Sequence, residues 1–223
     1  MAASYFDVDG TLVRTNLVHP TLFYLLNQST PFETARKLSK ALLRGPAMAW
    51  AEMRDRRMFN ELLYSSYEGV SEDRLEVLSE EVHDKVLRPA LYPFARELVD
   101  RAKSDGRQVV LVSGELDSIL RHLARHVGAD HVIANRLQMS NGLATGRLLT
   151  PIVAGPTKAR LIRDHARSNG FDLDDCFAYS DSYSDVPMLS VVGHPTAVNP
   201  DLRLRLLARS YEWPILELAR KRG

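Results

Sequence analysis

Five short apolar runs, rich in β-branched and aromatic residues, punctuate this chain, and helical patterns separate most of them. They are ASYFDVD at the start, RQVVLVS from Arg107 to Ser113, HVIAN from His131 to Asn135, CFAYSDS from Cys176 to Ser182, and PTAVN near Val198. Between them DSILRHLARHVG and TKARLIRDHARSNG carry apolar residues at helical spacing, the second closing on Gly170, where a C-cap glycine would stand. Strand and helix in alternation predict an α/β fold, a parallel sheet with helices on both faces. One section breaks the rhythm. From about Leu17 to Leu87 the spacing predicts four helices, LFYLL, ETARKLSKALLRG, MAWAEMRDRRMFNELLYSSY and SEDRLEVLSEEVHDKVL, with breaks near Ser29–Pro31, Gly45–Pro46 and Gly69. Inserted after the first strand, such a block reads as a cap. The expected division is a core of residues 1–15 and 89–223 and a helical cap of residues 16–88. Between His131 and Pro151, RLQMSNGLATGRLLT predicts a hairpin turning at Asn141–Gly142.

Composition narrows the function. The 223 residues suffice for one large domain or a domain carrying an insertion, and a net charge of +1 (29 basic, 28 acidic) supplies no global field for nucleic acid. The lone cysteine, Cys176, excludes an internal disulfide framework and a CxxC metal site. It fits a reducing compartment and, within the apolar DDCFAYS, reads as a buried thiol. Charged residues appear before a signal-peptide core could form, and no apolar run approaches the ~18 residues of a membrane span. A soluble, cytoplasmic protein is expected.

Ligands of open parallel sheets sit beyond the carboxyl ends of the strands. The first strand runs into Asp7 and Asp9, then Gly10 and Thr11; the second into Ser113 and Gly114; the fourth into Asp181 and Asp185. In an extended strand Asp7 and Asp9 would share a face. Two such charges ~4 Å apart repel by roughly 4 kcal/mol at an effective dielectric near 20, so the pair reads either as a site with a cation to hold or a proton to move, or as a solvated strand-to-turn junction. Lys158, at the start of a helix in GPTK, adds an ammonium. Oxygen-only donors with few protein ligands suit Mg²⁺, which keeps waters and shares a substrate phosphate. Lys158, the Ser113 hydroxyl and backbone N–H groups near Gly10 and Gly114 suit phosphate oxygens.

DVDGTL, VSGE, the isolated Lys158 and YSDSYSDVPML, in that order, resemble the four motifs of the haloacid dehalogenase superfamily of phosphohydrolases. The helical insertion and the later AVNPD resemble its phosphoserine-phosphatase-like branch, subfamily IB, and the likeness runs from Tyr5 to about Trp213. The resemblance implies a Rossmann-like core and a Mg²⁺-dependent phosphomonoesterase acting on a small phosphorylated metabolite. It also implies the roles: Asp7 as nucleophile forming an aspartyl-phosphate, and Asp9 as acid and then base. Ser113 and Lys158 would hold phosphoryl oxygens, with Thr11, Asn16 and Gly114 also at the substrate. Mg²⁺ would take Asp7, the Asp9 carbonyl and Asp181, with Asp185 direct or through water.

Two departures bear on substrate. Phosphoserine phosphatases usually carry serine where Gly10 stands, and a glutamate shortly after the motif to hold the substrate ammonium; VRTNLVH offers Asn16 and no acid. Phosphoserine therefore stands as one candidate among several small esters, including amino-alcohol phosphates. Residues 31–60 carry seven basic against three acidic side chains, which suits an anionic substrate or an anionic lipid surface as well as a solvated face. Rival readings are a phosphotransferase to an alcohol and a phospho-aspartate receiver, the latter disfavoured by the cap and by Asp9. An EF-hand loop fails because Leu12 and Val18 stand where it needs glycine and glutamate. His122 and His126 share a helix face without an HExxH glutamate and read as a packed or solvated face; no GxxxxGK[ST] or GxGxxG is present.

Overall fold

The structure, a computed structural model, describes residues 2–27 and 30–217. The five apolar runs fall on strands β1 (Ala3–Phe6), β2 (Gln108–Leu116), β3 (His131–Asn135), β6 and β7, with a hairpin of β4 (Leu137–Ser140) and β5 (Leu143–Leu148) between β3 and β6. Strands β6 (Phe177–Ser180) and β7 (His194–Val198) are followed by the short β8 (Ile215–Leu216), which is too brief to announce itself by periodicity. Six strands form one sheet in the order β3-β2-β1-β6-β7-β8, each neighbouring pair parallel. The order turns around at β1, so a crevice lies at its carboxyl end. The hairpin turns at Asn141 and Gly142, both at positive φ (50° and 73°), as a two-residue turn of this hand demands.

Between β1 and β2 the chain is helical: α1 (Val18–Leu26), α2 (Pro31–Arg54), α3 (Arg56–Tyr64), α4 (Glu72–Val82), a π-helical turn at His83–Leu87, and α5 (Arg88–Ala90). The break expected at Gly45–Pro46 does not occur. Helix α2 runs through Pro46, whose missing N–H frees the Leu42 carbonyl on an exposed turn that water can serve. The break falls at Asp55, extended at φ −153° and ψ 105°, whose carboxylate accepts from the Arg57 N–H and caps α3. Of the break expected at Ser29–Pro31, Ser29 lies outside the described residues, and Pro31 opens α2, where a proline loses no helical bond.

After α6 (Ala95–Ser104), α7 (Asp117–Val127), α8 (Pro156–Asn169), α9 (Val186–Leu189) and α10 (Leu202–Ser210) follow the later strands. Strand alternation splits the core in two. Phe6, Val109 and Leu111 belong to a cluster with α6, α7 and the helical block; Tyr5, Val110 and Val112 belong to one with α8, α9 and α10. The first cluster runs without a gap from Phe6 through Leu12 to Phe59, Leu63 and Tyr64, so the helical block and the sheet share one core. Each fully buried side chain of this size contributes about 1.5–3 kcal/mol, which holds α3 against the carboxyl end of the sheet. No helix among the described residues is long and apolar enough to cross a membrane.

Candidate active site

Strand β1 stops at Phe6, and Asp7 still donates its N–H to the Tyr179 carbonyl (2.9 Å). The chain then folds tightly: the N–H groups of Thr11, Leu12 and Val13 all point at the Val8 carbonyl, at 3.2, 2.8 and 3.0 Å. Asp7 and Asp9 therefore reach the same cavity through a compact turn and not by alternation along a strand. Gly10 makes the turn feasible. Its φ is +83°, and a Cβ there would stand 2.1 Å from an Asp181 carboxylate oxygen, so a serine here would have to displace that side chain.

Strand β2 continues past Ser113 to Leu116, but its register with β3 shifts between Val112 and Leu116. That irregularity re-aims Ser113, whose hydroxyl donates to Asp9 Oδ2 (3.1 Å) and accepts from the Glu115 N–H (3.0 Å). Lys158 lies in the first turn of α8, behind Gly155 and Pro156. Its buried ammonium donates to Asp7 Oδ1 (2.5 Å) and Asp185 Oδ2 (2.8 Å). Asp185 is completed by the Ser180 hydroxyl at 2.8 Å. The Thr11 hydroxyl lies 3.1 Å from Asp7 Oδ2 and 3.2 Å from Asp181 Oδ1; it can donate to only one at a time. Beyond β6, the N–H of Asp201 donates to the Asp181 carbonyl (2.8 Å), while the Asp201 carboxylate accepts from Tyr183 (2.7 Å) and Leu204 (2.8 Å). The aspartate of AVNPD thus anchors the loop that carries Asp181.

The charges do not balance. Four aspartates face one lysine. Burial pushes the Asp181 carboxyl up to about 8, with Asp7 and Asp185 adding to the rise. Burial likewise lifts Asp7 to about 6 against the pull of Lys158. Asp9 is raised well above the ordinary carboxylate range by burial first, then by Glu115 and Asp7. Burial would depress Lys158, but Asp185 and Asp7 outweigh it and raise its pKa. Among the described residues no three acidic, His or Cys side chains converge as a ready-made metal site. What fits Mg²⁺ is Asp7 and Asp181, two carboxylates on either side of one hydroxyl of which only the first also meets Lys158; backbone carbonyls, waters and a phosphate would have to complete the shell.

A cavity of about 40 Å³, room for a few waters, is lined by Asp7, Asp9, Lys158, Asp185 and Gly114 from the core and by Arg56 and Asn60 from α3. Asn16 is not brought to it. Its Oδ1 accepts from the Val18 N–H (3.1 Å) and its side chain meets His19, at the exposed start of α1. A linear reading does not single out Asn60 and Asn135, whereas Glu115 stands in VSGE and Arg56 among the basic residues of 31–60. Asn60 is buried, its amide N–H reaches the Val153 carbonyl at 3.4 Å, and its Oδ1 has no partner among the described residues. Asn135 ties the site together: its Nδ2 donates to the Gly114 carbonyl (2.8 Å) and its Oδ1 accepts from Val153 (2.8 Å). Glu115 turns away from the cavity to Tyr64 (2.9 Å) and its own strand end, and burial pushes it up to about 7. The spacing of Asn60 from Asp55, one turn into a capped helix, is the trace it leaves in sequence. His122 and His126 pack around His83, ring centroids 6.0 and 5.4 Å away, as a packed face.

Comparison with known proteins converges on one lineage. A family model described as haloacid dehalogenase-like hydrolase matches residues 5–190. The chain is 35% identical to the "inhibition of morphological differentiation protein" of Streptomyces azureus, covering 98% of this chain and 79% of that one. It is 33% identical to a Mycobacterium tuberculosis protein named phosphoserine phosphatase, over 99% of this chain and 72% of that one. The crystal structure of a Bordetella pertussis protein of unknown function superposes with a TM-score of 0.83 at 25% identity, covering 97% of this chain and 98% of that one.

Proposed function

This chain belongs to the haloacid dehalogenase-like hydrolases, and we propose that its phosphatase chemistry is hydrolysis of a small phosphate ester through an aspartyl-phosphate on Asp7. The carrying observation is the contact of the buried Lys158 ammonium with Asp7 Oδ1, next to an Asp9 whose pKa is raised. Lys158 keeps Asp7 ionised as a nucleophile while Asp9 retains a proton. One Asp7 oxygen attacks phosphorus and the ester P–O bond breaks. Asp9 gives its proton to the departing alkoxide, then takes one from the water that attacks the aspartyl-phosphate, releasing inorganic phosphate and restoring both groups. Lys158 and the Ser113 hydroxyl hold phosphoryl oxygens, whereas the N–H groups of Gly10, Thr11, Leu12 and Val13 are already bonded to the Val13 and Val8 carbonyls. Thr11 orients Asp7 and Asp181. Asp185, bonded to Ser180, keeps Lys158 extended toward Asp7.

Mg²⁺, held by Asp7, the Asp9 carbonyl and Asp181, with Asp185 direct or through water, would supply positive charge at the transferring phosphoryl group. The raised Asp181 supports this, because a carboxylate crowded by others is what a cation relieves. Residues 16–88 act in this reading as a cap over the core of 1–15 and 89–223, with Arg56 and Asn60 facing the leaving group. An arginine there favours an anionic leaving group, so the substrate is a small phosphorylated metabolite with a second negative charge. Cytoplasmic placement belongs to the same proposal. The test is phosphate release with Mg²⁺ over a panel of small esters, with an alcohol acceptor added. Phosphoryl transfer to the alcohol exceeding release to water would replace the hydrolase reading with a phosphotransferase.

A further inference from the structure

Helix α2 is apolar on two faces: Leu38, Ala41, Met48 and the buried Ala51 pack on the core, yet its larger apolar side chains lie outside. Its inner face shows only small or half-buried groups, Thr34, Leu38, Ala41, Gly45 and Met48, with Ala51 buried. Its large apolar side chains face out: Phe32 is 77% exposed, Leu42 77%, Leu43 83% and Trp50 53%. At 100° per residue Phe32, Leu43 and Trp50 fall within about 20° of one line, with Leu42 and Pro46 beside it. Arg36 and Arg54 follow one flank of that line. Across its 24 residues α2 carries five basic residues (Arg36, Lys37, Lys40, Arg44, Arg54) and two acidic ones (Glu33, Glu52). Arg54 lies 5.6 Å from the Trp50 ring, a pairing of cation and indole suited to a lipid interface.

We propose that the outer face of α2 docks the protein, in the plane of the surface, onto a bilayer containing anionic phospholipid. A solvated helix does not need three large apolar side chains on one line. This exposed line of Phe32, Leu43 and Trp50 is edged by positive charge, which an anionic surface matches and a neutral protein partner does not. A headgroup region accepts such a helix: the apolar stripe enters the acyl boundary and the flanking arginines meet lipid phosphates. The 24 residues span about 36 Å, enough for three anchors to enter together. The catalytic cavity is reached through α3, the next element, so docking leaves the site's own residues untouched.

The test uses the whole chain with Trp213→Phe, so that Trp50 alone reports, and vesicles of phosphatidylcholine with or without phosphatidylglycerol. Expected are co-sedimentation with the anionic vesicles, a blue shift of Trp50 emission, and loss of both as salt rises. Leu43→Ser, and separately Arg36→Ala with Arg54→Ala, should each weaken partitioning by about tenfold or more while melting temperature and small-ester hydrolysis stay unchanged. Failure of the parent chain to bind anionic vesicles overturns the proposal, as does binding that neither variant weakens. So does concentration-dependent self-association without vesicles that Leu43→Ser abolishes, since the stripe would then belong to a second copy of the chain.

Discussion

Lys158 and Asp7 meet at 2.5 Å, ammonium to carboxylate, although 151 residues separate them in the chain and both are buried. Two buried carboxylates, Asp7 and Asp185, share that one cation. Lys158→Met should therefore cost stability as well as turnover. Leaving buried charge unpaired destabilises by roughly 3–5 kcal/mol. Losing the phosphoryl-stabilising charge should lower kcat by about a hundredfold or more. Thermal unfolding and steady-state kinetics check both, and added Mg²⁺ should recover part of the stability but little of the rate.

Asp7→Asn keeps the size of the side chain and removes the attacking carboxylate. Turnover should fall by several orders of magnitude, and phosphate-dependent labelling of the protein should disappear. Retention of a tenth of the parent activity on the best ester would falsify the assignment of Asp7.

Gly10→Ala drives a Cβ to within 2.1 Å of the Asp181 carboxylate, at a backbone φ of +83°. The strain should cost roughly 1–2 kcal/mol. Displacement of Asp181 should raise the Mg²⁺ concentration needed for half-maximal activity. Titrations of activity with Mg²⁺ decide it; an unchanged midpoint would remove Asp181 from the metal's ligands.

Helix α3 lines the cavity with Arg56 and Asn60, and Asn16 does not reach it, so in the proposed reaction the leaving group lies against α3. The buried Asn60 Oδ1 has no partner among the described residues, so Asn60→Asp would place a charge on the proposed leaving-group side. A charge-assisted hydrogen bond of roughly 1.5–3 kcal/mol should move relative kcat/KM toward amino-alcohol phosphates by about ten- to a hundredfold. Asn16→Glu should change that ratio little, and in the parent chain phosphoserine should not lead the panel. A large effect of Asn16→Glu with none from Asn60→Asp would reverse the order of the two residues.

Away from the site, His165 Nδ1 lies in hydrogen-bond contact with the Tyr5 hydroxyl (3.1 Å) and its ring stacks on His131 (4.9 Å). Burial first, then the neighbouring His131, lowers its pKa to about 4. Free histidine titrates near 6.5, so between those values the unfolded chain binds the extra proton and stability rises with pH. The contribution is complete above about 6.5 and lost as pH falls toward 4. His165→Gln keeps a hydrogen-bonding side chain without titrating, and its melting temperature should fall less steeply over this window; identical pH slopes would assign the effect elsewhere.

The linear chain determined which groups take part and on which elements they ride. Short β-branched runs ending in Asp7, Ser113 and Asp181 could only be strands feeding one edge of a parallel sheet, because that is where such runs bury both faces. Gly170 and the Asn141–Gly142 turn were legible because positive φ excludes most side chains. Tertiary structure decided what long-range contact decides. Pro46 stays helical since its freed carbonyl faces outward, and Asp55 breaks the helix by capping the next one. Asn60, Arg56 and Asn135 enter the site through packing of α3 and β3 around Gly114, whose missing side chain leaves Asn60 its place. Asn16 leaves the site because the start of its own helix claims its amide. Proton states followed the same division: the sequence brought carboxylates near each other, but burial, which only the fold creates, is the first cause of every raised carboxyl in the cluster.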